Sequence, residues 1–150
     1  MQTQTLSLLV QALADENWEV RAEAIKTLGT LGNPEAVPAL IEALGDPDPR
    51  VRDEAVCALG NIGDQRAVPA LINTLRNDDD DDVRVTAAYV LGELGDPSAV
   101  EPLKEALLYA IREKDWGMWV AADWALDALM KTQPITHQPT ETELHNPLQA

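Results

Sequence analysis

The sequence predicts an all-α solenoid of four helical-hairpin repeats, and three observations carry that expectation. A fourteen-residue segment recurs as Val20-Arg-Ala-Glu-Ala-Ile-Lys-Thr-Leu-Gly-Thr-Leu-Gly-Asn33, Val51-Arg-Asp-Glu-Ala-Val-Cys-Ala-Leu-Gly-Asn-Ile-Gly-Asp64 and Val83-Arg-Val-Thr-Ala-Ala-Tyr-Val-Leu-Gly-Glu-Leu-Gly-Asp96. A shorter apolar segment precedes each copy: Leu9 to Leu13, Leu40 to Leu44 and Leu71 to Leu75. The copies start 31 and 32 residues apart, and a degenerate fourth, Met118 to Leu129, starts 35 residues after the third. A period of this length with two apolar segments per unit signals stacked helix pairs, because one pair cannot bury its apolar stripe alone. The repeats run over about 1–32, 33–64, 65–96 and 97–132. The remainder, 133–150, holds three prolines and no helical period and is expected to be a flexible tail.

Each element has a local cause. First helices open on a cap followed by proline, as in Asn33-Pro34-Glu35 and Asp96-Pro97-Ser98. Pro38, Pro69 and Pro102 follow one turn later, where a kink is tolerated. The fourth of these helices is expected from Val100 to about Glu113, one turn longer than its counterparts. Second helices follow a polar loop, the third running from Val83 to Leu94, and close at Gly32, Gly63 and Gly95 in the manner of a left-handed cap. Gly29, Gly60 and Gly92 fall inside those helices, where glycine costs about 1 kcal/mol relative to alanine. Their recurrence predicts close backbone approach to a neighbouring helix.

Composition narrows the function classes. The 150 residues carry 11 Lys+Arg against 26 Asp+Glu, a net charge of −15, which disfavours phosphate backbones and anionic membranes. Hydrophobic residues still make up 45% of the chain, so a core can form although Phe is absent. One cysteine, Cys57, excludes an intrachain disulfide. Without a basic segment before an apolar run at the start, or a membrane-length apolar stretch, a cytoplasmic protein is expected.

The segments Asp-Pro-x-x-x-Val-Arg-x-x-Ala, Ala-Leu-Gly-x-Ile-Gly-Asp and Ala-Val-x-x-Leu resemble the HEAT-like repeats of the phycobilisome-lyase type. The match is clearest over Asn33 to Asp96 and extends over about 130 residues. The resemblance implies a right-handed α-α superhelix whose second helices line a concave face. It also implies an inter-repeat ladder joining a loop Asp to the Arg that opens each second helix. The matching pairs are Asp15/Arg21, Asp46/Arg52 and Asp78/Arg84. Trp119 and Glu113 occupy those positions in the fourth repeat, so the ladder is expected to stop there.

At about 100° per residue, Val51, Ala55, Ala58, Leu59 and Ile62 form one stripe, while Asp53, Glu54, Cys57 and Asn61 cluster on another face. Carried through the repeats, that face holds Ala22, Glu23, Lys26 and Thr30, then Val85, Thr86, Tyr89 and Glu93, then Val120, Ala121, Trp124 and Ala128. By the resemblance it is the concave surface. One column reads Lys26, Cys57, Tyr89, Trp124, from charged to aromatic. Exposed aromatics in a column suit a protein interface; equally, Tyr89 and Trp124 could cover the C-terminal cap with Trp116 and Trp119.

Candidate chemistry is sparse. Asp78 to Asp82 suggests a calcium loop, but an EF-hand beginning at Asp78 would need Gly and Glu where Val83 and Tyr89 stand. The run reads instead as a solvated loop beside a positive helix end. The two histidines, His137 and His145, lie in the tail, whereas HEAT-repeat di-iron hydroxylases carry His-Glu pairs on helices. Asp53 and Glu54 read as partner-facing acids rather than a general acid/base pair. Cys57 reads as a small hydrophobe, its thiolate opposed by those two acids. The expectation is a non-enzymatic adaptor without metal or cofactor, binding a protein with a basic rim around an apolar patch. The alternatives are a bilin-lyase accessory subunit, implied by the resemblance, and a structural homo-oligomer.

Overall fold

The computed structural model describes residues 2–132, and the tail with His137 and His145 lies outside them. The described residues form an all-α solenoid of eight helices: α1 (Gln2–Ala12), α2 (Trp18–Leu31), α3 (Val37–Ala43), α4 (Pro49–Ile62), α5 (Val68–Asn77), α6 (Asp81–Leu94), α7 (Val100–Glu113) and α8 (Trp116–Thr132). They pair as α1/α2, α3/α4, α5/α6 and α7/α8, and the pairs stack in chain order. One continuous core runs through the stack, from Ile25 and Leu28 through Leu59 and Leu91 to Leu129. Val51, Ala55, Ala58 and Leu59 of α4 are buried as the helical period places them, with Ile62 at the partly buried edge; Val56 and Arg52 are buried as well and widen the stripe.

Local chemistry explains the joints. Asn17, Asn33, Asp48, Asp64, Asp80 and Asp96 each cap a helix by accepting the backbone N–H two residues on. Gly32, Gly63 and Gly95 end the second helices with φ of 64°, 72° and 72°. The prolines act differently from the expected kink. A 3-10 turn (Pro34–Ala36, Gln65–Ala67 or Pro97–Ala99) leads into a separate α-helix. Pro38 and Pro69 then stand in the first turn of that helix, where a missing N–H breaks no bond.

Second helices pack directly on one another, α2 on α4, α4 on α6 and α6 on α8, while the first helices touch each other much less. The second helices thus form the more closely packed layer, referred to below as the inner layer. Glycine permits that spacing: a Cβ on Gly29 would lie 2.8 Å from the Ala58 Cα, and one on Gly92 would lie 2.7 Å from the Ala125 Cα. At the α4–α6 contact a Gly60 Cβ would instead meet the Val90 methyls at 3.0 Å.

Arginines tie successive repeats together across the turns. Arg21 donates from Nε and Nη2 to the Asp46 carboxylate (2.7 and 2.9 Å), and Arg52 does the same to Asp78 (2.8 and 2.7 Å). The remaining Nη1 of each reaches back to a carbonyl six residues earlier, that of Asp15 or Asp46. The residues six apart therefore meet through backbone, and the carboxylate comes from the following repeat. Each Asp also accepts the N–H of the cap residue two positions on, Asp48 or Asp80, so one carboxylate fixes a turn and its neighbour together. Arg84 ends the series: Nη1 donates to the Asp78 carbonyl and Nη2 pairs with Asp81 on its own helix.

Asp79, Asp81 and Asp82 of the acidic run are exposed beside the start of α6, as expected of a solvated loop, while Asp78 and Asp80 are partly buried and structural. Asp78 and Asp79 hold Arg52, Asp80 caps α6, and Asp81 and Asp82 fall in its first turn. The helix thus begins at Asp81, two residues before the expected Val83, because Asp80 supplies the cap.

Two outcomes follow from this packing. Overpacking a core costs about 1–3 kcal/mol and removing a helical glycine returns about 1 kcal/mol. Urea unfolding should therefore show Gly92→Ala less stable by up to about 2 kcal/mol, and Gly60→Ala less affected because its Cβ would meet the Val90 methyls at 3.0 Å rather than backbone at 2.7 Å. The second concerns acid. Burial works to raise the Asp46 and Asp78 carboxyls, but the hydrogen bonds from Arg21 or Arg52 and from the cap N–H outweigh it and leave both below the ordinary range. A depressed folded-state pKa stabilises the fold above the unfolded value, near ~3.9, and that contribution disappears as pH falls through the folded value. Thermal midpoints should be flat from neutral pH to about 5 and fall below about 4, with Asp78→Asn shallower in that acid limb.

Candidate protein-binding face

The inner layer exposes one side of α2, α4, α6 and α8, and the structure places the expected column there unevenly. Lys26 of α2 is exposed, Cys57 of α4 and Tyr89 of α6 are partly buried, and Trp124 of α8 is 42% exposed. Tyr89 and Trp124 come into contact, with ring centroids 5.5 Å apart and planes tilted by 53°. Such pairs contribute about 0.5–1.5 kcal/mol beyond area burial. Gly92 makes this contact possible, since a Cβ there would stand 3.0 Å from the Trp124 ring. Val120 is 47% exposed beside them, and Val85 is partly buried toward Gly117.

Towards α4 the face is acidic. Asp53 and Glu54 are partly buried, while Glu23, Asn61 and Glu93 are exposed. One oxygen of Asp53 is buried without a hydrogen-bond partner among the described residues. Burial raises the Glu54 carboxyl; Lys26 opposes that shift, and Asp53 and Glu23 reinforce it. Burial also pushes the Cys57 thiol up to about 11, helped by the charges of Asp53, Glu54 and Glu93. This is the environment of an unreactive thiol. In the fourth repeat the face turns slightly: Ala121, expected on it, is fully buried, and Ala128 is partly buried.

The same edge contains residues that helical period alone did not group. An open cleft of about 350 Å³ runs from Trp18 and Ala22 past Asp53 and Glu54 to Asp80 and Asp82. Arg50 lies over the Trp18 ring, 3.4 Å from its centroid, and pairs with Asp48, whose carboxyl this hydrogen bond holds down at about 2. The usable signal was position: Trp18, Pro49, Asp81 and Trp116 all occur two residues before the residue that opens each repeated segment. At the chain's described C-terminal end, Trp116 and Trp119 pack edge to face at 6.0 Å beside Ile111. They stand at the end of the stack, apart from Trp124.

The arrangement offers apolar contact at one end and carboxylates along the rest. Among the described residues no group of His, Cys, Asp and Glu is placed to hold a metal ion, and no described helix is long and apolar enough to cross a membrane.

The family model for HEAT repeats matches residues 6–88, 55–113 and 68–136. Two solved structures are similar at comparable levels. The complex of CpcE and CpcF of phycocyanin lyase from Nostoc sp. PCC7120 matches with TM-score 0.73 and 30% identity, over 83% of this chain and 53% of that one. Human deoxyhypusine hydroxylase matches with TM-score 0.72 and 28% identity, over 91% of this chain and 47% of that one. An engineered protein, at 24% identity and TM-score 0.58 over 84% of this chain and 62% of its own, shares the fold. The chain thus spans about half the length of the two natural structures. No curated protein matches it.

Cys57 gives a direct check on the electrostatics of the face. Raising a thiol from 9.0 to about 11 lowers its thiolate fraction near neutral pH by about a hundredfold. Because a more basic thiolate is also more nucleophilic, alkylation by iodoacetamide at pH 7.5 should be slower than that of a free small thiol by about tenfold or more, and Asp53→Asn should speed it.

Proposed function

We propose a protein-binding role for this chain, which belongs to the HEAT-repeat family. It acts as a non-enzymatic cytoplasmic scaffold that holds a partner protein against the second-helix face. The observation that carries this reading is the Tyr89–Trp124 pair, surface-accessible on the inner layer and continuous with Asp53, Glu54 and Glu93. Aromatic anchors contribute most of the energy in many interfaces, and charges around them govern association rate and partner choice. The matching partner has an apolar patch for the two rings and a basic rim for Glu23, Asp53, Glu54 and Glu93. Lys26, Cys57, Asn61, Val85 and Val120 complete the contact as complementary surface. Nucleic acid and anionic lipid fit poorly against a chain of charge −15.

A second reading has its own support in the similarity to phycocyanin lyase. In it, the chain is an accessory subunit that binds bilin or a phycobiliprotein. Mixing the protein with a bilin and an apo-phycobiliprotein separates the readings: an absorbance shift or chromophore transfer favours the accessory subunit, and an unchanged spectrum favours the scaffold.

Tyr89→Ser combined with Trp124→Ala should preserve the helical circular-dichroism spectrum and weaken capture of the native partner by tenfold or more. Affinity should fall as salt rises from 50 to 500 mM, since exposed charges are screened. Undiminished binding by a folded double variant would remove the face from the interface.

A further inference from the structure

We infer that the interruption of the arginine ladder at the fourth repeat leaves a receptor site for a carboxylate, centred on the Arg84 guanidinium. In the first two steps the arginine donates from Nε and Nη2 to a carboxylate of the following repeat. Arg84 has the same backward bond, from Nη1 to the Asp78 carbonyl, and its Nη2 pairs with Asp81. Among the described residues no carboxylate of the fourth repeat pairs with it. Helix α7 is 14 residues long where α5 has 10, and about one extra turn moves the next inter-helix turn away by ~6 Å. Glu113, which takes the position of the ladder Asp, pairs with Arg112 instead, Nε to Oε1 at 2.7 Å.

The space left behind is an open cleft of about 360 Å³ between the third and fourth repeats. Arg84, Arg76 and Glu105 contribute its charged groups, and Tyr109, Met118, Leu75 and Pro102 its apolar ones. The Arg84 side chain is 18% exposed, so its charge is held in a restricted environment yet stays partly accessible. Arg76 is bound by Glu105 of α7, with N–O distances of 3.0 and 3.2 Å, which positions it across the cleft mouth. Arg52 shows that one Nη2 can serve two carboxylates, Asp78 and Asp79. Nε of Arg84, with the Nη2 it shares with Asp81, thus presents the same fork to a planar carboxylate, and the apolar groups select a ligand with a hydrocarbon stem. The ligand class is therefore a carboxylate on a short aliphatic chain, as in a free short-chain acid or a Glu side chain of a bound protein. The site lies on the turn edge of the solenoid, away from the Tyr89–Trp124 face, and does not depend on the protein-binding proposal.

The test uses the full chain and follows the Arg84 Nε–H resonance in nitrogen–proton correlation spectra. Butyrate and a Glu-containing tripeptide blocked at both ends are titrated separately, with butyramide and sodium chloride as controls. The expected result is a saturable downfield shift of that resonance with one or both carboxylates and none with the controls. Saturation by butyrate at lower concentration assigns a free acid, and saturation by the peptide at lower concentration assigns a protein side chain. Arg84→Lys keeps the charge but loses the fork, and should weaken binding by tenfold or more, read from shifts of the Tyr109 and Met118 signals. Ala106→Phe fills the cleft without altering the ladder and should abolish the response, which keeps the test valid if the Arg84 variant unfolds. An Arg84 Nε–H that ignores both carboxylates, or moves equally with butyramide, overturns the proposal.

Discussion

The bidentate arginine–aspartate contact between successive repeats fixes the geometry on which the rest of the fold depends. Its carboxylate does two things at once. Asp46 or Asp78 folds its own turn by accepting the cap N–H and holds the guanidinium projecting from the preceding repeat. The side chains of Arg52 and Asp78 are only 10% and 6% exposed, so the charges are largely removed from water and each needs the other. The pair therefore sets where one repeat sits on the next, and the core between them packs at that distance.

The glycines act on the same spacing from the inner side. Gly29 and Gly92 bring one second helix onto the backbone of the next, at Ala58 and Ala125, while Val90 holds the middle step slightly wider. Packing is tight among second helices and sparse among first helices. The Tyr89–Trp124 pair is a product of this closeness, because those aromatics belong to different repeats and meet only across the Gly92 contact. Core packing and the candidate binding surface are thus linked through a position that has no side chain.

Charge is distributed according to the same repeat. A net charge of −15 would read as an unspecialised acidic surface, yet many of the acids have separate tasks. Asp46 and Asp78 belong to the ladder, Asp48, Asp64, Asp80 and Asp96 cap helices, and Asp53 and Glu54 face the inner layer. The fourth repeat departs from the pattern at each level. It has a longer first helix, Trp119 in place of the ladder arginine, and Lys114 in the left-handed conformation at the end of that first helix, where α3 and α5 end on Leu44 and Asp78 in other conformations. Those departures coincide with the end of the ladder, and Trp116, on the last described helix, is 73% exposed.

The repeat, the helix pairs, the caps, the glycine stops and the buried stripe were legible in the sequence, because each rests on interactions within one or two helical turns. So was the end of the ladder, signalled by Glu113 and Trp119 at positions where Asp and Arg recur. Other features required the tertiary structure. Asp46 and Asp78 lie 25 and 26 residues from the arginines they bind, and nothing local distinguishes that partner from the aspartate six residues earlier. The start of α6 at Asp81, the burial of Ala121 and the contact of Arg50 with Trp18 likewise depend on how one repeat is rotated onto another. A helical period gives the angle of a residue on its own helix. The distance between neighbouring repeats decides which of those angles meets a partner, a cleft or solvent.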